Sequence, residues 1–320
     1  MATYLITGIA GFIGSSLAHA LLERGDTVRG VDNFITGNRA NLADILGRIE
    51  FHEIDILDLD GLRRVARGAD HVLHQAALAS VPRSVKDPAA TNAANVTGTL
   101  NVLLAARDAG VKRVVYAGSS SAYGDTPLLP KNEEMKPDPM SPYAASKLAG
   151  EHYMGSFRTV YGLETVSLRY FNVFGPRQAA DSPYSGVLAK FITQMLAGER
   201  PTIFGDGEQS RDFTYIANVV EANLLACAAP AKAVAGGIFN VAVGERYSLN
   251  QTFAILRNLT GYRGQAQYGP AREGDVKHSL ADITRARQAL GYKPKVGFED
   301  GLRQTVAWYR QQAKPAVAAK

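Results

Sequence analysis

The chain has 320 residues, 46% of them apolar and 20% charged, which suggests one large globular domain or two closely joined ones. No apolar run reaches the roughly 18 residues that a membrane span needs, and no basic leader precedes the first strand, so a cytoplasmic protein without a membrane partner is expected. The net charge of +5 comes from scattered rather than clustered basic residues, which argues against a nucleic-acid partner.

The first half of the chain alternates strand-like and helical segments. A short apolar run predicts a first strand over residues 3–7, and helical periodicity follows over 12–24. The later segments predict a helix over 96–109 and strands over 27–32, 49–54, 71–74 and 113–117. This alternation predicts an α/β fold built on a Rossmann-type, doubly wound parallel sheet.

The pattern changes after Phe171. Short strands such as 238–243 now lie between helices predicted over 187–198, 215–229, 248–260 and 299–312. We expect residues 1–171 to form a nucleotide-binding domain and 172–313 to form mainly a smaller α/β substrate-binding lobe, whose segments interleave with the first domain. The Ala-, Lys- and Pro-rich tail at 314–320 is expected to be disordered.

The cysteine content limits the chemistry that the chain can carry. Cys227 is the only cysteine, which excludes an internal disulfide and a cysteine-based metal cage. Its apolar neighbours predict a buried helix face, and no metal site is expected.

Three glycines lie between the first strand and the first helix. Gly8 permits a tight turn, Gly11 lets the backbone approach a pyrophosphate, and Gly14 lets the helix pack on the strand. The helix N-terminus then offers unpaired N–H groups to phosphate oxygens. Asp32 ends the second strand, where a carboxylate can accept hydrogen bonds from the adenosine ribose and would repel a 2′-phosphate. Glycines at such a turn can be merely structural, but together with Asp32 they indicate a site that prefers NAD to NADP.

The GxxGxxG spacing of this loop resembles that of the extended short-chain dehydrogenases/reductases. The resemblance continues at Asp32–Phe34 and Asp55–Ile56, where the family places the adenine, at His74–Ala77 beside the pyrophosphate, and at Asn95 behind the cofactor. It implies NAD as the cofactor, held by Gly8, Gly11, Phe12, Ile13, Gly14, Asp32, Asn33, Asp55, Ile56, Gln75, Ala76, Ala77, Asn95 and Lys147.

Tyr143 and Lys147 form a YxxxK pattern directly after Ser141 and Pro142. Residues four apart lie on one helix face, so the ammonium can lie near both the phenol and the nicotinamide ribose. A tyrosine with a pKa near 10 is a poor base at neutral pH, and we expect Lys147 and the positive nicotinamide to lower its pKa. The alternative is an exposed helix start with a salt-bridging lysine. The dinucleotide motif upstream favours catalysis.

A third catalytic group is expected at the end of the strand over 113–117, where three consecutive serines follow Gly118. Comparison with the family pattern places the catalytic hydroxyl at Ser119, with Ser121 as a competitor. Dehydratases and glucuronate decarboxylases of this class resemble one another in a carboxylate beside that hydroxyl, but the corresponding positions here are Ser120 and Ser121. Without an acid for the neighbouring carbon, the expected chemistry is oxidation at C4, rotation of the ketone and return of the hydride, which is epimerisation.

A second family signature runs from Leu168 to Pro176, and it implies that Asn172 reaches the substrate diphosphate or sugar. By the same resemblance Arg211 and Arg272 bind the diphosphate, whose oxygens match planar guanidinium groups, and Asp275 takes the uridine ribose. An Arg-Asp pair can also be a surface salt bridge. Weaker candidates for the walls around the base, for which core packing is an equal alternative, are Val187, Leu188, Thr202, Ile203 and Phe204.

The whole pattern resembles the UDP-hexose 4-epimerases, most closely those that accept N-acetylated sugars. Ala79, Gly186 and Ser279 are small where glucose-type relatives carry bulk, and Ser120 adjoins the proposed hydroxyl. The resemblance implies a UDP-sugar substrate, most favourably the UDP-GlcNAc/UDP-GalNAc pair, and a homodimer. The alternatives are a UDP-glucuronate 4-epimerase or decarboxylase, and a non-catalytic NAD(H)-sensing regulator. Ser279 could also lie on a surface loop with no role in the pocket.

Overall fold

The computed structural model describes residues 1–180, 186–271 and 276–313. The predicted disordered tail at 314–320 lies outside this range. The strands in chain order are β1 (Thr3–Thr7), β2 (Thr27–Asp32), β3 (Glu50–Glu53), β4 (His71–His74), β5 (Arg113–Ser119), β6 (Glu164–Tyr170), β7 (Val173–Phe174), β8 (Thr202–Phe204), β9 (Ser210–Arg211), β10 (Thr214–Tyr215), β11 (Gly237–Val241), β12 (Tyr247–Ser248) and β13 (Gln267–Gly269).

Helices connect these strands through most of the chain. They are α1 (Phe12–Glu23), α2 (Leu59–Ala66), α3 (Val81–Lys86), α4 (Pro88–Asn92), α5 (Gly98–Asp108), α6 (Pro142–Tyr161), α7 (Val187–Leu196), α8 (Ile216–Ala228), α9 (Ala231–Val234), α10 (Leu249–Thr260), α11 (Thr284–Leu290) and α12 (Phe298–Ala313).

The central sheet has seven parallel strands in the order β11-β6-β5-β4-β1-β2-β3. The predicted doubly wound α/β fold is therefore confirmed. The strand order reverses between β1 and β4, and in such sheets ligands bind at the carboxyl ends of the strands beside the reversal. β11 returns from the second half of the chain to the sheet edge beside β6, while the division into domains 1–171 and 172–313 stays a prediction.

Alternate residues of the strands bury opposite faces of the sheet. On β1, Leu5 belongs to a core with α2 and α5, whereas Ile6 belongs to a core with α1 and α8. Both side chains are at most 2% exposed, and burying one such side chain contributes about 1.5–3 kcal/mol. A strand with two buried faces reads as a continuous apolar run, which is why residues 3–7 were predictable.

The predicted bounds differ from the structure at several element ends. β5 extends two residues beyond the predicted 113–117, so that Ser119 is its last residue. The helix predicted over 96–109 begins only at Gly98, because Ala93–Thr97 forms a π-helical turn. The strand predicted over 238–243 ends at Val241.

The buried side of α8 confirms the prediction for Cys227, which is 5% exposed. Burial raises the pKa of its thiol to about 12. Arg113 is buried beside it and donates from Nη1 to the carbonyl oxygens of Ala226, Cys227 and Ala229, which caps the C-terminal end of the helix.

The helices and the possible metal ligands of the described ranges bear on membranes and metals. Within residues 1–180, 186–271 and 276–313, every helix is too short or too polar to span a bilayer. Over the same part of the chain, no three His, Cys, Asp or Glu side chains are grouped as a metal ion would require.

Candidate active site

A cavity of about 490 Å³ opens at the carboxyl ends of β1, β2 and β4, beside the reversal of strand order. This volume lies within the range of small-molecule sites. Every predicted cofactor-binding residue lines the cavity except Asn95 and Lys147, and Ala79 lines it too. The loop after β1 and the loop after β4 therefore meet where the sequence places a dinucleotide.

The glycine loop packs tightly against the loop after β4. Gly8 has a φ of +70°, and a Cβ there would lie 2.8 Å from the backbone N and Cα of Ala76. A Cβ on Gly14 would overlap the carbonyl oxygen of Gly8. Gly11 precedes α1 with no side-chain cap, so the first N–H groups of that helix remain available to an anion. The loop thus forms a cradle that fits a pyrophosphate.

The carboxylate of Asp32 is fixed at the cavity wall by two backbone donors. The N–H of Ala10 donates to Oδ2 at 2.9 Å and the N–H of Phe34 donates to Oδ1 at 2.8 Å. Burial raises the pKa of Asp32, and these hydrogen bonds oppose that rise. Asp55 lies nearby and accepts from the side chain of Asn33 at 2.7 Å. Two carboxylates on one wall disfavour an additional phosphate on the adenosine ribose.

Asn95 lies behind the cavity rather than on its wall. The side chain is 1% exposed, and its Oδ1 accepts from the N–H of Leu78 at 2.7 Å. Its Nδ2 donates to the hydroxyl of Ser146 at 2.9 Å. Asn95 therefore ties the loop after β4 to α6, and direct contact with a cofactor stays a prediction.

Helix α6 carries Tyr143 in its first turn and Lys147 one turn later, as the YxxxK spacing predicts. Ser141 begins the helix by accepting from the N–H of Ala144 at 3.2 Å, and Pro142 fits the first helical position. Lys147 is 4% exposed and Tyr143 is half-buried, so the exposed-helix alternative is wrong.

The serine run sits where β5 ends and a 3₁₀ turn, Ser120–Tyr123, begins. The hydroxyls of Ser119 and Ser121 are 2.8 Å apart, and Ser119 also accepts from the N–H of Ser121. The Ser119 hydroxyl also interacts with the phenol of Tyr143 and lowers its pKa. Of the two hydroxyls, that of Ser119 is the one that acts on the Tyr143 phenol. This arrangement agrees with the predicted order of the two serines, whose roles stay predictions.

Burial dominates the electrostatics of Tyr143 and Lys147. Burial raises the pKa of Tyr143, and the hydrogen bond from Ser119 only opposes this rise. Burial lowers the pKa of Lys147 to about 8, and its Nζ lies 4.7 Å from the ring centroid of Tyr116. In the protein alone, burial of the phenol therefore dominates, and the expected lowering of the Tyr143 pKa by Lys147 together with the positive nicotinamide stays a prediction.

Two residues near the cavity are absent from the predicted site residues, although the resemblance places the segment that begins at His74 beside the pyrophosphate. His74 is 1% exposed, and its two ring nitrogens bond the hydroxyls of Thr7 and Thr99 at 2.7 and 2.9 Å. This imidazole joins β1, β4 and α5 behind the cavity. Arg83 lines the cavity from α3. It follows the N-cap Ser80 by three residues, and no local pattern in the sequence marks it as part of the site.

On the substrate side, the structure brings Asn172, Arg211 and Ser279 to the same group of loops. Asn172 donates from Nδ2 to the carbonyl of Asp212 at 3.0 Å and to the hydroxyl of Ser279 at 3.2 Å. Arg211 on β9 donates to the carbonyl oxygens of Ser210 and Lys277. Ser279 is only 6% exposed, so the surface-loop alternative for this residue is wrong.

The apolar candidates divide by burial. Leu188 and Ile203 are 3% and 1% exposed and belong to the hydrophobic core, as the core-packing alternative describes. Val187 packs partly against that core, whereas Thr202 and Phe204 on β8 are half-buried and Gly186 is exposed before α7. Contact of any of them with substrate stays a prediction. Arg272 and Asp275 lie outside the described residues.

Comparison with known proteins adds to this geometry. Residues 4–242 match the profile of the NAD dependent epimerase/dehydratase family. The UDP-glucose 4-epimerase of Thermotoga maritima, solved with UDP-glucose, is 39% identical with a TM-score of 0.92, covering 97% of this chain and 99% of that one. The UDP-N-acetylglucosamine 4-epimerase of Methanobrevibacter ruminantium, solved with UDP-N-acetylmuramic acid, is 40% identical at the same TM-score and coverage. A UDP-glucuronate 4-epimerase of Thermodesulfobacterium geofontis is 36% identical, over 97% of both chains.

Proposed function

Since the chain belongs to the NAD dependent epimerase/dehydratase family, we propose that it interconverts UDP-N-acetylglucosamine and UDP-N-acetylgalactosamine, with UDP-glucose and UDP-galactose as a secondary pair. The chain is an NAD-dependent UDP-sugar 4-epimerase in class, since relatives that match 97% of it are 4-epimerases. The preference for an N-acetylated sugar is the proposal.

The residues of the cavity fit NAD. Gly8 and Gly14 form a cradle that any side chain would fill, and the fixed carboxylate of Asp32 suits ribose hydroxyls. When bound, NAD supplies a reversible hydride acceptor, and because each hydride is returned no net oxidation results. Gln75, Ala76 and Ala77 would hold it from the loop after β4.

The chain's own groups handle the proton at the 4-hydroxyl. Tyr143, as the phenolate that Lys147 and the positive nicotinamide would favour, accepts this proton as the hydride leaves C4, and Ser119 hydrogen-bonds the same sugar oxygen. Lys147 presents N–H donors beside them from the next helical turn. The resulting 4-keto sugar then rotates in the pocket, so that the opposite face of C4 meets the hydride donor. Tyr143 then returns the proton as the hydride comes back to the opposite face, which inverts C4.

The small side chain of Ser279 carries the proposed preference. Its hydroxyl is buried and bonded by Asn172, the residue that the family signature assigns to the substrate. Ala79 is equally small and lines the cavity. Small residues at these positions leave volume for an acetamido group while the sugar rotates.

Two alternatives receive less support. A decarboxylase or dehydratase needs an acid beside the catalytic hydroxyl, and the 3₁₀ turn after Ser119 offers only the hydroxyls of Ser120 and Ser121. A non-catalytic NAD(H) sensor would not need a serine that acts on the Tyr143 phenol, or Lys147 buried one helical turn further along α6. The UDP-glucuronate 4-epimerase remains the second candidate, favoured by the 36% identical relative.

The test is a substrate panel. The purified protein is incubated with UDP-N-acetylglucosamine, UDP-glucose and UDP-glucuronate, without added cofactor, and the products are resolved by chromatography. The proposal expects the highest kcat/KM for UDP-N-acetylglucosamine, with its C4 epimer as product. UDP-galacturonate as the main product would establish the second candidate. A pentose product would establish the decarboxylase.

A further inference from the structure

Helix α6 carries a buried carboxylate that the proposed chemistry does not use. Glu151 lies one turn beyond Lys147 and two turns beyond Tyr143, so the three side chains share one helix face. The side chain of Glu151 is 1% exposed. A Cβ on Gly118 would lie 3.0 Å from its Oε1, so β5 leaves room for this carboxylate directly before Ser119. Removing a carboxylate from water costs several kcal/mol unless it is paired.

Arg169 on β6 fixes the carboxylate in place. Its Nε donates to Oε1 of Glu151 at 3.0 Å and its Nη2 donates to Oε2 at 2.7 Å, a two-pronged contact. The guanidinium carbon lies 4.6 Å from the ring centroid of Tyr123, which holds Arg169 from its other face. The orientation of Glu151 is therefore set by β6 and by the turn after β5, and not by its own helix alone.

The ammonium of Lys147 faces two groups that carry no charge at neutral pH. His74 reaches it from β4, and burial together with the Lys147 charge lowers the pKa of that imidazole to about 3. Tyr116 reaches it from β5 and donates to the Lys147 carbonyl at 3.2 Å, and burial raises the pKa of this phenol. Without the positive nicotinamide, Tyr143 on the same helix is also neutral, since burial raises its pKa.

Lys147 and Glu151 pack one helical turn apart against the same face of β5, Lys147 at the ring of Tyr116 and Glu151 beside Gly118. Burial lowers the pKa of Lys147, and the charge of Glu151 raises it. An alternative is that the ion pair of Glu151 with Arg169 only links α6 to β6 and has no effect on Lys147. The counter-charge role and this structural role predict different results when Glu151 or Arg169 is replaced.

We propose that Glu151 is a positioning residue for catalysis: it is the buried counter-charge that holds Lys147 as an ammonium group, with Arg169 fixing the carboxylate. This inference rests on the proposed role of Lys147 beside Tyr143. An ammonium offers three N–H donors and a positive charge, whereas a neutral amine offers two N–H donors and carries no charge. Removing Glu151 would deprive the site of that charge without touching a group that contacts substrate.

The experiment follows the protonation of Lys147 directly. Protein labelled with ¹³C at the lysine Cε is titrated by NMR, and the Lys147 signal is assigned with Lys147→Arg. Glu151→Gln is expected to lower the titration midpoint of Lys147 by about one pH unit, as the loss of a nearby opposite charge does. Arg169→Met is expected to leave the midpoint at or above that of the wild type, because the carboxylate remains.

A double variant covers the case in which Glu151→Gln does not fold, since it would leave Arg169 buried and unpaired. Glu151→Gln/Arg169→Met removes both charges, and a buried pair is often replaced in this way without loss of stability. The double variant is expected to lower the Lys147 midpoint as Glu151→Gln does. An unchanged midpoint in the double variant, or equal downward shifts in Glu151→Gln and Arg169→Met, would overturn the proposal.

The same variants are then assayed for the pH dependence of kcat. Loss of the Glu151 charge should move the alkaline decline of kcat to lower pH by the same amount as the NMR midpoint, with a smaller effect on KM. An alkaline decline that stays in place while the NMR midpoint moves would overturn the catalytic purpose of the counter-charge. The NMR titration needs no sugar substrate. A protein that epimerises no UDP-sugar refutes the proposed function, and the titration still decides whether Glu151 controls Lys147.

Discussion

Replacing Ser279 by tyrosine tests the proposed sugar preference. Ser279 is 6% exposed and its hydroxyl accepts from Asn172 at 3.2 Å and from the N–H of Asp212 at 3.3 Å. A tyrosine there would fill volume that an acetamido group sweeps as the sugar rotates. Overpacking of this kind costs about 1–3 kcal/mol, which corresponds to roughly 5- to 150-fold in rate if it is expressed at the transition state.

The assay is kcat/KM for UDP-N-acetylglucosamine and for UDP-glucose, in the wild type and in Ser279→Tyr. The ratio of the two values should fall by that factor in the variant, with UDP-glucose spared. Ser279→Ala is the matched control, because it loses the same two hydrogen bonds without adding bulk. Each lost bond costs about 0.5–1.5 kcal/mol and should affect both substrates alike. An unchanged ratio in Ser279→Tyr, in a variant that keeps its bound NAD, would refute the steric argument.

Three further predictions concern the cofactor wall, the catalytic groups and the buried imidazole. Asp32→Ala should relax discrimination against NADP, measured as the ratio of the two dissociation constants; a ratio equal to that of the wild type would contradict the assignment. Tyr143→Phe should lower kcat by about 10²- to 10⁴-fold and still bind substrate. Ser119→Ala should lower kcat more than Ser121→Ala does. The reverse order would move the catalytic hydroxyl to Ser121. The pKa of His74 is lowered to about 3 in the folded protein, whereas an unfolded histidine titrates near 6.5. As the pH falls from about 6.5 towards 3, His74 therefore binds a proton in the unfolded chain but not in the folded one, which lowers the free energy of unfolding. Urea midpoints of His74→Gln should fall less steeply than those of the wild type over that window, and parallel curves would refute the argument.

Some parts of the fold were predictable because the relevant signal is local. β1 and β4 have the predicted bounds, since short apolar runs ended by polar residues or glycine define buried strands. The π-helical turn Ala93–Thr97 was not predictable, because no pattern of residue types distinguishes its hydrogen-bond register from that of an α-helix. The glycine loop was predictable from spacing, since the turn and the close approach to Ala76 both require glycine.

The site was predictable in residues but not in contacts. YxxxK fixes Tyr143 and Lys147 on one helix face, but burial of the phenol, which raises its pKa, depends on tertiary packing. Asn172 and Ser279 are 107 residues apart, and no local pattern indicates that they share a hydrogen bond. The ion pair of Glu151 with Arg169 was likewise not predictable, because it depends on how α6 packs against β6 in the tertiary structure.

The central claim is that C4 is inverted by removal and return of the same hydride, with Tyr143 moving only the hydroxyl proton. Epimerisation in D₂O, with the product examined by NMR and mass spectrometry, tests it most directly. The account predicts that the C4 epimer carries no deuterium on any ring carbon, because the hydrogen on C4 never exchanges with solvent. Deuterium at C4 or at a neighbouring carbon would show that a carbon–hydrogen bond is broken by proton abstraction, and would contradict the account.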